Sequence, residues 1–158
     1  MRRVFCLAIL AFLLPAAAQA ATCTVSATGI AFGTYIPSNA SPTDRTGTVT
    51  VTCSAALQTV NYTVALNAGL NSGGSFANRR MKNGTSLLSY QIYSNSARTT
   101  VWGNGTGGSS TVSGSFNCLV ACTNTKRNHT AYGRLPALQW TASPGAHSDT
   151  ITVTVTFN

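Results

Sequence analysis

Thr150-Ile151-Thr152-Val153-Thr154-Val155-Thr156-Phe157, followed only by Asn158, alternates without a slip. Thr150, Thr152, Thr154 and Thr156 fall on one face, and Ile151, Val153, Val155 and Phe157 on the other. A period of two sends successive side chains to opposite faces, so the stretch reads as a half-buried strand. Its residues are β-branched except Phe157, which also suits a pleated surface. A final strand this apolar on one face needs neighbours on both sides, and the residues upstream decide whether the chain supplies them.

Working outward, the same alternation recurs in short runs. Cys23–Ser26 opens as a strand, and Gly29–Tyr35 follows with Phe32 as a core anchor. Gly47–Cys53 places Val49, Val51 and Cys53 on one face, and Val60–Leu66 groups Val60, Tyr62, Val64 and Leu66. Leu88, Tyr90 and Ile92 share a face within Leu87–Tyr93. Val101-Trp102, Thr111–Phe116 and Thr130–Leu135 are further strand candidates, the last two flanking a cysteine-bearing loop at Asn117–Asn128. Turns rich in Gly, Asn, Ser and Pro separate them, and no segment holds helical spacing over three turns. The pattern predicts an all-β sandwich or barrel.

Met1-Arg2-Arg3, the apolar run Val4–Leu14 and Ala18-Gln19-Ala20 have the layout of a secretory signal peptide cut after Ala20. The run is short for a membrane span, so no membrane insertion is expected after cleavage. Cys6 lies inside this leader. Residues 21–158 are long enough for one domain with a real core. Without Arg2 and Arg3, eight basic residues face only Asp44 and Asp149, a net charge of +6. The basic residues form no long run, so a soluble surface of low charge density is the preferred reading and no nucleic-acid partner is expected. Four cysteines in an exported chain read as disulfides. Of three possible pairings, Cys23–Cys53 with Cys118–Cys122 is favoured. The first closes a loop of about 31 residues, worth roughly 3–4 kcal/mol if chain entropy is the source, and the second roughly 2 kcal/mol at best.

Groups for chemistry are scarce. Asp44 and Asp149 are the only carboxylates, each at a strand start, and a side-chain turn bond is the usual role there. His129 and His147 have no nucleophile elbow beside them. Cys118, Cys122 and His129 lack a second ligand pair at zinc spacing. Gly103–Gly108 lacks the lysine of a phosphate loop. Arg79-Arg80-Met81-Lys82 has no aromatic ladder and reads as a solvated loop. No catalytic residue, metal or cofactor is expected, and the chain is read as non-enzymatic. Leu119 and Val120, between Cys118 and Cys122, are the unusual feature: a loop tucked on the core, or an exposed apolar fingertip for contact with a surface or partner.

Taken in order, Phe32-Gly33-Thr34-Tyr35, Gly47–Cys53, Arg80-Met81, Leu88–Tyr93, Thr100-Val101-Trp102-Gly103, Tyr132–Pro136 and Ser148–Ile151 resemble a spore coat protein U domain. That family includes pilins of archaic chaperone–usher pili and secreted coat proteins. The resemblance implies an incomplete immunoglobulin-like β-sandwich lacking its final strand. A periplasmic pilus chaperone would lend that strand, and at the outer-membrane usher an adjacent pilin subunit would donate its N-terminal segment instead. Ile151, Val153, Val155 and Phe157 would then be the acceptor-groove strand. With the cut after Ala20, only Ala21 and Thr22 precede Cys23, so the chain is expected to accept a strand and not to give one. This points to a tip or minor subunit at the cell surface, although tip adhesins of the family have two domains. The alternatives are a secreted coat or matrix protein of the same fold and an extracellular glycan-binding module.

Overall fold

Two 24-residue strands carry the architecture in the computed structural model, which describes residues 20–143 and 145–158. The secretory leader read over residues 1–20, with Cys6, lies outside the described residues apart from Ala20. The strands are β1 (Thr22–Thr28), β2 (Thr43–Leu66), β3 (Arg80–Asn83), β4 (Ser86–Ser89), β5 (Gln91–Tyr93), β6 (Val112–Leu135) and β7 (Val153–Phe157). A 3-10 turn at Phe76–Asn78 interrupts them.

β2 and β6 pair antiparallel from Thr43↔Leu135 to Val64↔Val112. This corrects two expectations. Gly47–Cys53 and Val60–Leu66 are one strand, and the supposed loop at Asn117–Asn128 belongs to β6. The ladder runs on through two register shifts, at Cys53/Ala55 and Ala56/Gln58, where extra residues of β6 are absorbed as bulges. Leu87–Tyr93 is broken the other way, into β4 and β5 on either side of Tyr90.

The long ribbon is folded over on itself. Thirteen residues of unbent strand separate Val49 from Tyr62 by about 40 Å. Yet the Tyr62 hydroxyl reaches His129, the residue paired with Val49. Likewise the Arg127 guanidinium carbon lies 5.7 Å from the ring centroid of Phe116 on the same strand. The bend falls at the register shifts, where Leu57 takes a left-handed φ of 58°. It divides the molecule into two layers. One holds β1, residues 43–53, residues 125–135 and β5; the other holds residues 112–122, residues 58–66 and β7. Between them lie Val51, Val60, Val64, Trp102, Phe116 and Leu135, all buried. The fold is all-β and immunoglobulin-like, with its sheets left open.

Both favoured disulfides are present. Cys23–Cys53 joins directly paired residues of β1 and β2. Cys118–Cys122 joins two residues of β6 whose Cα atoms are 5.1 Å apart. Four residues of extended chain would span about 13 Å, so the chain between the two cysteines bows out at the bend, with Leu119 and Val120 outside the ladder.

Arg79 departs from the reading of residues 79–82 as a solvated loop: it is fully buried. Its guanidinium donates to the carbonyls of Asn67 and Trp102, both at 2.8 Å, and to Gln91 Oε1 at 2.9 Å. A planar fork of donors suits converging carbonyls, which explains how a charge is accommodated there.

Candidate functional site: an open flank between two edge strands

β1 and β7 both pair with β2, on the side of it that β6 does not occupy. Because the ribbon is folded, they become the edges of different layers on the same flank. Neither has a second ladder partner among the described residues. β7 pairs only from Val153↔Leu66 to Phe157↔Tyr62. Residues 150–152 hang from Asn67, whose backbone N–H donates to Thr152 O at 3.0 Å while its Oδ1 accepts from Thr152 N.

Between the two edges runs a cleft of about 180 Å³. Ala27, Ile30 and Phe32 form one wall, Ile151 and Val153 the other, and Val49, Leu66, Ile92 and Ala131 the floor. Of the four residues expected to form the acceptor wall, Ile151 and Val153 line this cleft. Val155 is half-buried against the core, and Phe157 is partly exposed at the strand end beside Asn61 and Gly114. The opposite wall was missed by sequence reasoning, although Ile30 and Phe32 share a face in Gly29-Ile30-Ala31-Phe32. A second cleft continues the first past Ile30, Phe32 and Met81 to Tyr35, Gly145 and His147.

The polar end of the cleft is fixed by Asp149. Its carboxylate accepts from Tyr90 Oη (2.7 Å), Leu70 N (2.9 Å), Asn71 Nδ2 (3.3 Å) and Thr150 N (2.9 Å). Burial, and then the bond to Asp149, push the Tyr90 phenol far above its usual range and keep it protonated. Asp44 is held elsewhere by a bidentate bond from Arg134, 2.8 Å on each oxygen, with Arg98 at 3.3 Å. The Arg134 bond holds its carboxyl below the ordinary carboxylate range. The two acids therefore serve different structural networks. His129 meets Tyr62, and His147 Nε2 meets Ser86 Oγ at 3.0 Å. The Ser86–His147 contact has no carboxylate behind it: His147 Nδ1 faces the Gly145 carbonyl, and Ser86 Oγ also accepts from Ser143 N. Cys118 and Cys122 are consumed by their disulfide.

The free edges differ in character. β6 has no ladder partner on its outer side over residues 112–131 among the described residues, yet that edge carries Lys126, Arg127 and the register shifts of the bend. Charges and bulges are how sheets prevent edge-to-edge pairing. β1 and β7 carry neither charge nor bulge.

At the bend, Leu57, Leu119 and Val120 are 81%, 64% and 84% exposed. Leu57 stands opposite the bowed residues between Cys118 and Cys122. Sequence reasoning found Leu119 and Val120 but not Leu57, which sits in an otherwise small and polar run.

The Spore Coat Protein U domain matches residues 9–154. The chain belongs to the Spore Coat Protein U domain family. This Spore Coat Protein U domain is also similar to a chain of the CsuC–CsuE chaperone–tip adhesion subunit pre-assembly complex, from archaic chaperone–usher Csu pili of Acinetobacter baumannii. Identity is 26%, the TM-score is 0.54, and the match covers 85% of this chain and 39% of that one. The domain thus spans well under half the length of that structural relative. No curated protein matches it.

Proposed function

We propose that this protein is a non-enzymatic, strand-accepting subunit of a chaperone–usher pilus, carried through the periplasm by a chaperone and passed by an usher to the cell surface. The observation behind this is the open flank: two unguarded edges, β1 and β7, facing each other over an apolar cleft. An added strand would bond to β7 through its main chain and place alternate side chains in the cleft. Ile151 and Val153 would contact it directly, with Val155 and Phe157 extending the same edge. The family and the likeness to a chaperone–subunit complex support the reading.

The test is a synthetic peptide of about 14 alternating apolar and polar residues added to residues 21–158. A rise of 10 °C or more in Tm at saturation, on the order expected for ligand linkage, supports the reading. An unchanged Tm, or a chain whose β7 amides are already fully protected from exchange alone, rejects it.

The same proposal assigns adhesion to an apolar surface to Leu119 and Val120, with Leu57 beside them, and a tip position to the subunit. Support comes from their exposure at a disulfide-braced bend and from the tip subunit in the similar complex. Leu119→Ser with Val120→Ser is expected to lower retention on polystyrene without lowering Tm. Equal retention removes the adhesive assignment.

A further inference from the structure

At the end of the continued cleft, opposite to where β7 finishes, a second apolar patch stands on fixed loops. Ile36 is 56% exposed, Leu138 48% and Trp140 65%. Single exposed apolar residues are ordinary, but these share two loops that are tied together. Leu138 N donates to Asn39 O at 3.3 Å, within the turn closed by Asn39 N and Ile36 O. Gln139 N donates to Tyr35 Oη at 2.8 Å, and Tyr35 Oη donates to Pro136 O at 3.3 Å.

Gln139, between the two exposed residues, is anchored from the other side as well. Its Oε1 accepts from Ser89 N at 2.7 Å and its Nε2 donates to Ser89 O at 3.0 Å. The amide thus stands in for a strand neighbour of Ser89. Leu138 has a φ of 56°, a left-handed conformation that a branched side chain rarely adopts. Trp140 is therefore displayed on a braced and locally strained loop, the setting in which binding residues recur. Tryptophan is also, with tyrosine and arginine, among the side chains enriched as interface anchors.

We propose that the Ile36–Leu138–Trp140 patch seats the folded domain that follows the donated strand, a second domain of this same fold. This rests on the strand-accepting reading. Antiparallel pairing is the more stable ladder. A strand antiparallel to β7 enters beside Phe157, runs past Val153 and Ile151, and leaves through the second cleft beside Gly145, His147 and Tyr35. Tyr35 is bonded to Gln139, next to Trp140. The domain carried by the strand emerges there, so the patch is continuous with the path of the strand. Its apolar contact adds to the strand's own bonds and limits how freely one subunit swings on the next.

The test uses two probes on residues 21–158: the free synthetic peptide, and the same peptide placed ahead of Ala21 in a second copy that carries Trp140→Phe and whose own cleft is filled by a peptide fused after Asn158. Trp102 is fully buried, so acrylamide quenching reports mainly on Trp140. The free peptide is expected to leave quenching unchanged, and the domain-bearing probe to lower it at least threefold. Trp140→Ala is expected to speed dissociation of the domain-bearing probe roughly tenfold, the loss of one modest interface anchor, and to leave the free peptide unaffected. If both probes bind but Trp140 stays equally quenchable, or Trp140→Ala changes neither rate, the seat is wrong while strand acceptance stands. If the free peptide does not bind at all, strand acceptance fails and the seat fails with it.

Discussion

Tyr62 Oη lies 2.9 Å from His129 Nε2, joining the two layers of the folded ribbon across the core. The His129 ring also stands edge-on to Trp102, with centroids 6.4 Å apart. Burial, and then the nearby Arg127 charge, lower the imidazole pKa from its ordinary 6.5. The fold thus favours the neutral ring. Stability from this site is full above pH 6.5 and is lost as pH falls through the lowered folded value. The urea midpoint is expected to fall between pH 7 and pH 5, and His129→Gln, which cannot titrate, should flatten that slope. Asp44 acts in a separate window: its pKa is depressed from 3.8, so its contribution is present above that value and disappears in stronger acid. An unchanged slope in the His129→Gln protein would show that the Tyr62–His129 contact does not set the acid limit.

The two disulfides are expected to differ in worth. Cys23→Ala with Cys53→Ala opens a loop with a separation of 30 and should cost about 3–4 kcal/mol. Cys118→Ala with Cys122→Ala opens a loop with a separation of 4 and should cost at most about 2 kcal/mol. Its larger effect should be on the bowed residues, seen as faster amide exchange at Leu119–Ala121. Equal losses of stability from both pairs would mean that the short bridge supports the whole bend.

Much of this was legible because alternation reports which face is buried. The patterns at Gly47–Cys53 and Val60–Leu66 placed their apolar residues inward, as did Ile151, Val153 and Val155 in the last strand, and the favoured one of three cysteine pairings is the one that forms. The bend was not legible. Ala55-Ala56-Leu57-Gln58 contains no glycine or proline to announce a turn, and the chain continues as strand because β6 bulges with it. Arg79 escaped for a related reason. Its burial depends on carbonyls of Asn67 and Trp102, which are brought together only by the fold.

That arginine makes a strong prediction. Arg79→Met keeps much of the stem but removes donors to two main-chain carbonyls and to Gln91 Oε1. The variant carries no charge, but it leaves the buried carbonyls of Asn67 and Trp102 without this donor, at about 1–3 kcal/mol each. Denaturant unfolding should show a loss of that order with an unchanged m-value. A loss below about 1 kcal/mol would mean that water takes the place of the guanidinium.

The missed wall of the cleft supplies the last prediction. A Cβ on Gly133 would lie 2.7 Å from Phe32 Cζ and 2.8 Å from Ile30 Cγ2. A Cβ on Gly47 would lie 2.9 Å from Ile30 Cγ1. Both glycines therefore let residues 30–32 sink toward the sheet and leave room between that wall and Ile151 and Val153. Gly133→Val should push Ile30 and Phe32 outward, costing about 1–3 kcal/mol of stability by overpacking. It should also narrow the space for an added strand. Gly29 faces the same cleft, but a Cβ there meets nothing within 4 Å, so Gly29→Ala serves as the control. Titration calorimetry with the synthetic peptide is expected to show at least a tenfold loss of affinity for Gly133→Val and less than a threefold change for Gly29→Ala, the tenfold step being about 1.4 kcal/mol. Wild-type affinity in a folded Gly133→Val protein would mean that the position of Ile30 and Phe32 does not control what the cleft accepts.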